Sequence, residues 1–407
     1  MMKRPLLITL FLIYSVILFA ASYMMGASNW PLSQLGLASS RVPPEAEKVF
    51  DPFWEVWNLV NSQYFDQPLE AENLMEGAIE GMLARLDDPN TRYLEPAVEE
   101  SARDSMEGEI QGIGVLVEMV DEQITVVSPF EGSPAERAGI RPGDVLLEAD
   151  GVDLVGMDLS EAAALIRGPA GTEVQLVILR DEETIDLSVT RDVVEIPSVR
   201  GEMLEGSVAY VRLSRFGIRT PEELSAVLED LLSQDPRGMI LDLRNNPGGG
   251  LDSSVEIADA FLEEGVVLVE EFGTGRERVF RSSDSGMAED IPLVVLINEG
   301  SASASEVLAG AIRDQERGVL VGSTTFGKGT VQTWHALSNG GGVRITTARW
   351  ITPDGDWINE TGIMPDVVVP SPESPPADLA DDAQLQAAIE QLQEMIGATA
   401  AQSTEVE

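Results

Sequence analysis

Cysteine is absent from this chain of 407 residues, and histidine occurs once, as His335. No disulfide framework, thiolate nucleophile, zinc finger, iron–sulfur cluster or lipidated N-terminal cysteine can therefore form. A single imidazole excludes a multi-histidine metal site, and any Ser-His-Asp triad would have to run through His335. Positive charge is scarce too: 26 Lys and Arg stand against 70 Asp and Glu, a formal net charge of −44. Such an excess repels a phosphate backbone, and no basic patch offsets it, so nucleic acid is not expected as a partner. What remains is ordinary globular composition, 43% hydrophobic, with enough chain for two or three domains.

Residues 5–25 form an uncharged apolar run behind Lys3 and Arg4. At about 1.5 Å per residue such a helix reaches roughly 30 Å, the thickness of a bilayer core. The basic flank stays in the cytoplasm and sends the rest outward. Residues 1–28 are thus expected to be a signal or anchor segment. The protein is expected to be extracytoplasmic, held at the membrane by its N-terminus, or secreted or periplasmic after signal cleavage. Residues 29–105 read as a linker and an N-terminal helical segment. Within it Phe50, Phe53, Trp54, Trp57, Val60 and Tyr64 recur at helical spacing as a core-facing stripe.

From about residue 106 to 192 the pattern changes to short alternating strands broken by glycine, with one short helix, which suggests a small, partly open β-barrel. Gly112-Ile113-Gly114-Val115, Ser133-Pro134-Ala135 to Ala138-Gly139-Ile140, and Arg141-Pro142-Gly143-Asp144 follow one another in this stretch. In that order they resemble a bacterial PDZ domain. The resemblance implies a peptide-binding groove in which an exposed strand edge accepts an extended chain and loop N–H groups hold its terminal carboxylate.

Residues 193–370 alternate apolar strands with amphipathic helices, the texture of layered α/β packing. Residues 371–407 begin Pro-rich and carry eight acids and no Lys or Arg. They read as a linker, a short amphipathic helix and an acidic tail, mobile or lightly docked.

Three stretches of the α/β region could carry chemistry. Ser301-Ala302-Ser303-Ala304-Ser305-Glu306 lies where a buried strand gives way to a helix, the place where hydroxyls are presented beside free helix N–H groups. The same spacing makes Ser303 and Glu306 an ordinary capping box. Thr325-Phe326-Gly327-Lys328-Gly329 places a lysine between glycines that let the backbone pack closely and exclude water. A lysine serves as a base only when desolvation lowers its pKa. The run from Gly322 narrowly fails the Gly-x-x-x-x-Gly-Lys-Ser/Thr phosphate motif, because Gly329 follows Lys328. Asn245-Asn246-Pro247-Gly248-Gly249-Gly250 could aim backbone N–H groups at an oxyanion, or could simply turn a strand into a helix.

Taken together, these stretches resemble the carboxyl-terminal processing proteases, serine endopeptidases with a Ser/Lys dyad and a PDZ domain. The resemblance also takes in Leu86-Asp87-Asp88-Pro89 with Thr91 and Tyr93, and Thr352-Pro353 to Gly362-Ile363. The fold it implies is α/β plus β: a ClpP/crotonase-like layered α/β protease core with an inserted PDZ domain and an N-terminal helical segment. It implies Ser303 as nucleophile, Lys328 as base and Gln332 as the residue orienting the lysine. The N–H groups of Ala304 and of Gly248 or Gly249 would form the oxyanion hole, with Glu306, Asp314 and Thr325 in support. In the PDZ module it implies peptide binding by Gly112, Ile113, Gly114 and Val115, and a coupling role for Arg167. No metal or organic cofactor is implied. Expected partners are protein or peptide substrates with apolar C-termini and a membrane through the N-terminal segment; homo-oligomerisation stays open. One departure from the family pattern is Asp354-Gly355-Asp356-Trp357, where a basic residue is commoner after the turn. Rival readings are a non-catalytic binding protein of the same fold, a PDZ adaptor, and a hydrolase using His335 as base.

Overall fold

The computed structural model describes residues 48–107, 109–120, 123–130, 132–181, 183–372 and 381–405. The expected signal or anchor run lies outside them. Among the described residues no helix is long and apolar enough to cross a membrane. The chain divides into two compact units, Met1–Met75 and Glu76–Glu407.

In the first unit the helix Asp51–Gln63 forms as its spacing predicts, with Pro52 in the first turn. Its aromatic stripe departs from expectation. No residue of this helix is buried, and Trp54 is 54% exposed. The rings stack on one another instead, with Phe53 and Trp54 edge to face at 5.0 Å.

The second unit is built on a six-stranded sheet in the order Val199–Leu204, Val208–Leu213, Gly238–Asp242, Leu293–Ile297, Val319–Gly322 and Val367–Val368. The first pair is antiparallel and every later pair parallel. Gly238–Asp242 and Leu293–Ile297 are apolar at nearly every position because both faces are covered. Met239, Leu241, Leu293, Val295 and Ile297 join one core with the helices Thr220–Leu232, Leu251–Asp259 and Ala304–Asp314. The alternate residues Ile240, Val294 and Leu296 face a second core containing Leu385, Ala388 and Leu392.

That second core corrects the expectation of a mobile or lightly docked C-terminus. The helix Ala383–Glu405 is a structural layer, and a buried ion pair fastens its start. Arg244 meets Asp382 at 2.8 Å and Asp242 at 2.7 Å, and the Tyr210 hydroxyl donates to Asp242 at 2.7 Å. Each fully buried leucine of the helix contributes about 1.5–3 kcal/mol.

A second sheet contains Arg92–Leu94, Thr330–Ala336, Gly342–Ile351, Gly265–Phe272 and Glu277–Ser282. Arg92–Leu94 falls within the stretch expected to be an N-terminal helical segment, yet it pairs with Gly342–Arg344 as a strand of this sheet. The small barrel comprises Val115–Val120, Gln123–Pro129, Val145–Ala149, Val152–Asp153, Glu173–Arg180 and Glu183–Thr190. Its neck is a two-stranded ladder of Glu109–Gly112 with Asp192–Glu195, which brings the two ends of the inserted module together.

Candidate active site

Three neighbouring parallel strands deliver the three sequence stretches to one edge. Gly238–Asp242 leads into the glycine loop, Leu293–Ile297 into the serine loop, and Val319–Gly322 into the lysine loop. Ligand crevices in open α/β sheets form beyond these carboxyl ends. Here a cavity of about 510 Å³ is lined by Ser303, Ala304, Lys328, Gln332 and Gly248 to Gly250.

The backbone sorts the three serines. Buried Ser301 donates its hydroxyl to the Leu243 carbonyl at 2.8 Å, and buried Ser305 donates to the Asn246 carbonyl at 2.8 Å. Both hydroxyls are thus spent tying the serine loop to the glycine loop. Ser303 alone of the three lines the cavity. It sits at the helix N-terminus with φ 56° and ψ −113°. A non-glycine residue held there costs on the order of 1–3 kcal/mol and persists only where its surroundings enforce it.

Glu306 provides the enforcement. Its fully buried carboxylate accepts from the Ser303 N–H at 2.7 Å, one arm of the expected capping box. It also accepts from Thr325 Oγ1 at 2.6 Å, the Gly327 N–H at 2.6 Å and the Lys328 N–H at 2.9 Å. One side chain therefore joins the backbone of Ser303 to that of Lys328. Thr325 extends the link by accepting from the Ile363 N–H at 2.7 Å. Trp350 donates its indole N–H to the Lys328 carbonyl at 2.9 Å, so the lysine backbone is held on both sides. The flanking glycines are needed for this approach: a Cβ on Gly327 would come 2.8 Å from the Gly362 nitrogen, and one on Gly329 would come 2.7 Å from Trp357 Nε1.

Burial lowers the Lys328 pKa below that of a free lysine, the guanidinium of Arg344 lowers it further, the Glu306 carboxylate opposes the shift, and Arg92 adds to it. Among the described residues no hydrogen bond or ion pair engages the Lys328 amine, and none joins it to Ser303. The Gln332 amide is likewise not on the lysine. It donates to Thr330 Oγ1 at 2.9 Å and Thr346 Oγ1 at 3.2 Å.

The two candidate oxyanion glycines differ. The Gly248 N–H donates to Asn246 Oδ1 at 2.9 Å, whereas the N–H groups of Gly249 and Ala304 make no hydrogen bond among the described residues. Gly248 contributes closeness: at φ 96°, a Cβ on it would lie 2.8 Å from the Ala304 nitrogen and 2.9 Å from Ser303 Cβ. Asp314 lies at the far end of the serine helix and off the cavity wall. It pairs with Arg313 at 2.7 Å and accepts from the Asp354 N–H at 3.0 Å, so it fixes the Thr352–Asp356 turn. His335 is exposed on Thr330–Ala336 and does not line the cavity; its ring nitrogen lies 3.3 Å from Thr333 Oγ1. Sequence reasoning did not single out Trp350, nor Asn246 for its own side chain.

The inserted barrel has its own groove of about 250 Å³ between the edge strand Val115–Val120 and the helix Leu159–Ile166. Gly112, Ile113, Gly114, Val115 and Arg167 all line it. Among the described residues the N–H groups of Ile113 and Gly114 make no hydrogen bond.

A layered α/β core, an inserted barrel with an open strand edge and a cavity lined by Ser303 and Lys328 are features of the PDZ-bearing serine peptidases. Comparison with known proteins agrees. A family model described as peptidase family S41 matches residues 207–369, a PDZ domain model matches 125–180, and a model described as the activating protease CtpB N-terminal domain matches 13–98. The carboxy-terminal processing protease CtpA of Bacillus subtilis is 35% identical over 375 residues, 91% of this chain and 79% of that protein. A carboxyl-terminal-processing protease of Synechocystis is 40% identical over 346 residues, 83% of this chain and 81% of its own. Among solved structures, a photosystem II D1 C-terminal processing protease aligns with a TM-score of 0.51 at 33% identity, over 84% of this chain and 95% of that one. A putative S41 protease from Bacteroides fragilis shares the fold, with a TM-score of 0.53 at 17% identity over 83% and 92% of the two chains. The chain belongs to the carboxy-terminal processing proteases of peptidase family S41.

Proposed function

We propose that this protein is a Ser/Lys endopeptidase that selects protein substrates by their C-terminal region. The observation that carries the reading is the Glu306 carboxylate bridging the backbones of Ser303 and Lys328 at the edge of one cavity. Neutral Lys328 takes the proton of Ser303 as substrate fills the cavity and excludes water; catalytic hydrogen bonds are often loose without substrate and tighten on binding. The alkoxide adds to the scissile carbonyl, and the N–H groups of Ala304 and Gly249 stabilise the tetrahedral anion. Lysinium then protonates the leaving amine. Water, deprotonated by the same amine, releases the acyl group from Ser303.

The groove of the inserted barrel selects the substrate. An extended C-terminus adds beside Val115–Val120, with its carboxylate at the Ile113 and Gly114 N–H groups and an apolar side chain in the groove. Arg167, which follows the groove helix and lines the groove, senses occupancy on this reading. The apolar run at 5–25 would place this activity outside the cytoplasm, at the membrane or released from it.

The test is an unfolded protein with an apolar C-terminus, incubated with wild type, Ser303→Ala and Lys328→Ala and read as fragments by mass. Loss of cleavage in both variants is expected. Fragments from Ser303→Ala at the wild-type rate would overturn the reading and return the protein to the non-catalytic members of its fold.

A further inference from the structure

The catalytic cavity reverses the charge balance of the chain. Against 70 acids and 26 bases overall, its described wall holds Arg215, Lys328 and Arg344 and no carboxylate. Arg344 stands directly opposite Trp334 on one neighbouring strand and directly opposite Arg92 on the other. Residues so placed share a face of the sheet, where like charges destabilise the pairing. Ion pairs would relieve that repulsion, yet among the described residues none involves Arg92 or Arg344. The Arg344 guanidinium lies 5.0 Å from the Trp334 ring centroid, and its Nε is buried without a partner. Arg215 repeats the pattern: one terminal nitrogen donates to the Ile196 carbonyl, and its Nε is buried and unpartnered. Both guanidinium groups are half-buried; Arg215 feels the Glu223 carboxylate without an ion pair to it, and Arg344 has no acid acting on it among the described residues. A half-buried guanidinium with an unpaired Nε is costly, and a planar carboxylate is the group its forked donors match.

We propose that Arg215 and Arg344 form a carboxylate-recognition subsite within the catalytic cavity, so that the peptides turned over best carry an anionic group near the scissile bond. That group is either the α-carboxylate of a chain end or an Asp or Glu side chain. The proposal rests on Ser303 and Lys328 being the reacting pair only for its turnover readout.

The test uses the full chain and peptides built around one cleaved apolar sequence, first located by mass in a digest of an unfolded protein. One pair ends in a free acid or an amide. A second set, amidated throughout, carries Asp or Asn at scanned positions. Hydrogen bonds to a charged group lead us to expect a kcat/KM preference for the anionic member of at least one pair of about tenfold or more in wild type. Arg344→Gln and Arg215→Gln should each move that ratio toward one. Arg344→Lys and Arg215→Lys, which keep charge but lose the fork, should lower it less and serve if the Gln variants fail to fold. A change confined to the acid and amide pair assigns the subsite to a chain end; one confined to Asp and Asn assigns it to a side chain. The barrel groove also favours free C-termini, but a preference arising there survives every arginine substitution, and that survival overturns the proposal. A wild-type ratio near one for all pairs overturns it too. Calorimetric affinities of the same peptides for Ser303→Ala, with and without Arg344→Gln, give the ratio without turnover. Absent cleavage by wild type therefore counts against the Ser/Lys reading, while an unchanged affinity ratio counts against the subsite.

Discussion

Two cavities among the described residues, the barrel groove and the one that holds Ser303, are built on opposite plans. The groove of the inserted barrel is an edge strand, a helix and a few apolar side chains, with Arg167 the one charged residue on its described wall. The cavity at the sheet edge holds two arginines, a lysine with a depressed pKa, a serine at φ 56° and a glycine loop packed too closely against that serine to admit a side chain. Binding an extended chain needs only unpaired backbone at a sheet edge, which ordinary strand geometry supplies. Taking a proton from serine with a lysine, as proposed for Ser303 and Lys328, needs a desolvated amine and fixed donors, and these require strain and partly buried charge. Substitutions should therefore divide cleanly between the two regions.

The largest separation is expected at Glu306. Replacement by Ala leaves the Thr325 hydroxyl and three backbone N–H groups without their acceptor. Buried unsatisfied donors cost about 1–3 kcal/mol each. The loss should be on the order of 3 kcal/mol or more in denaturant unfolding, with cleavage abolished. Affinity of the barrel groove for a C-terminal peptide should be unchanged in the folded fraction; a matching loss there would break the division.

A paired glycine test comes next. Gly248→Ala drives a methyl against Ser303 and Ala304 and should cut kcat by about a hundredfold, the usual effect of disturbing an oxyanion site. Gly114→Ala, at φ 72° with its Cβ 2.6 Å from Ser133 Cβ, should act on the other cavity and raise KM with kcat nearly intact. Steady-state kinetics on one long substrate distinguishes the two.

The smallest expected effect is a shift in pH dependence. Burial lowers the Lys328 pKa, Arg344 lowers it further and Arg92 adds, while Glu306 opposes. With the free amine as the active form in the proposed mechanism, kcat/KM should rise with pH through that depressed value. Arg344→Gln removes a cation that opposes the ammonium, so the pKa rises and the rising limb moves to higher pH. A shift to lower pH would contradict the electrostatic assignment. The same group makes stability climb with pH between its depressed value and about 10.4, because over that interval the unfolded chain binds the proton and the folded one does not.

Much of this was legible in the sequence, and the reasons are local. Ser303 and Lys328 each lie just past an apolar strand, beside glycines or a capping residue, so short stretches announced them. The groove residues Gly112 to Val115 were legible for the same reason. Trp350 acts on the Lys328 carbonyl across the folded sheet, and the Asn246 side chain reaches back to the Leu213 carbonyl, so no spacing rule points to either. Gln332 reads as a partner for lysine, but strand pairing sets it opposite Thr346, and its amide goes there. The C-terminal helix was underestimated although a signal existed. Strands apolar at every position, such as Leu293–Ile297, require cover on both faces, and Leu385, Ala388 and Leu392 supply the second. Arg92–Leu94 is too short to declare itself as a strand before its partner is known.

Whether Lys328 is a depressed amine is open to direct measurement, because the chain has only three lysines, Lys3, Lys48 and Lys328. Protein labelled with 13C at the lysine ε-carbon gives one resonance from each, and Lys328→Arg assigns the third. The account predicts that the Lys328 signal titrates clearly below the free-lysine value of about 10.4. A Lys328 titration at or above that value would contradict its assignment as general base.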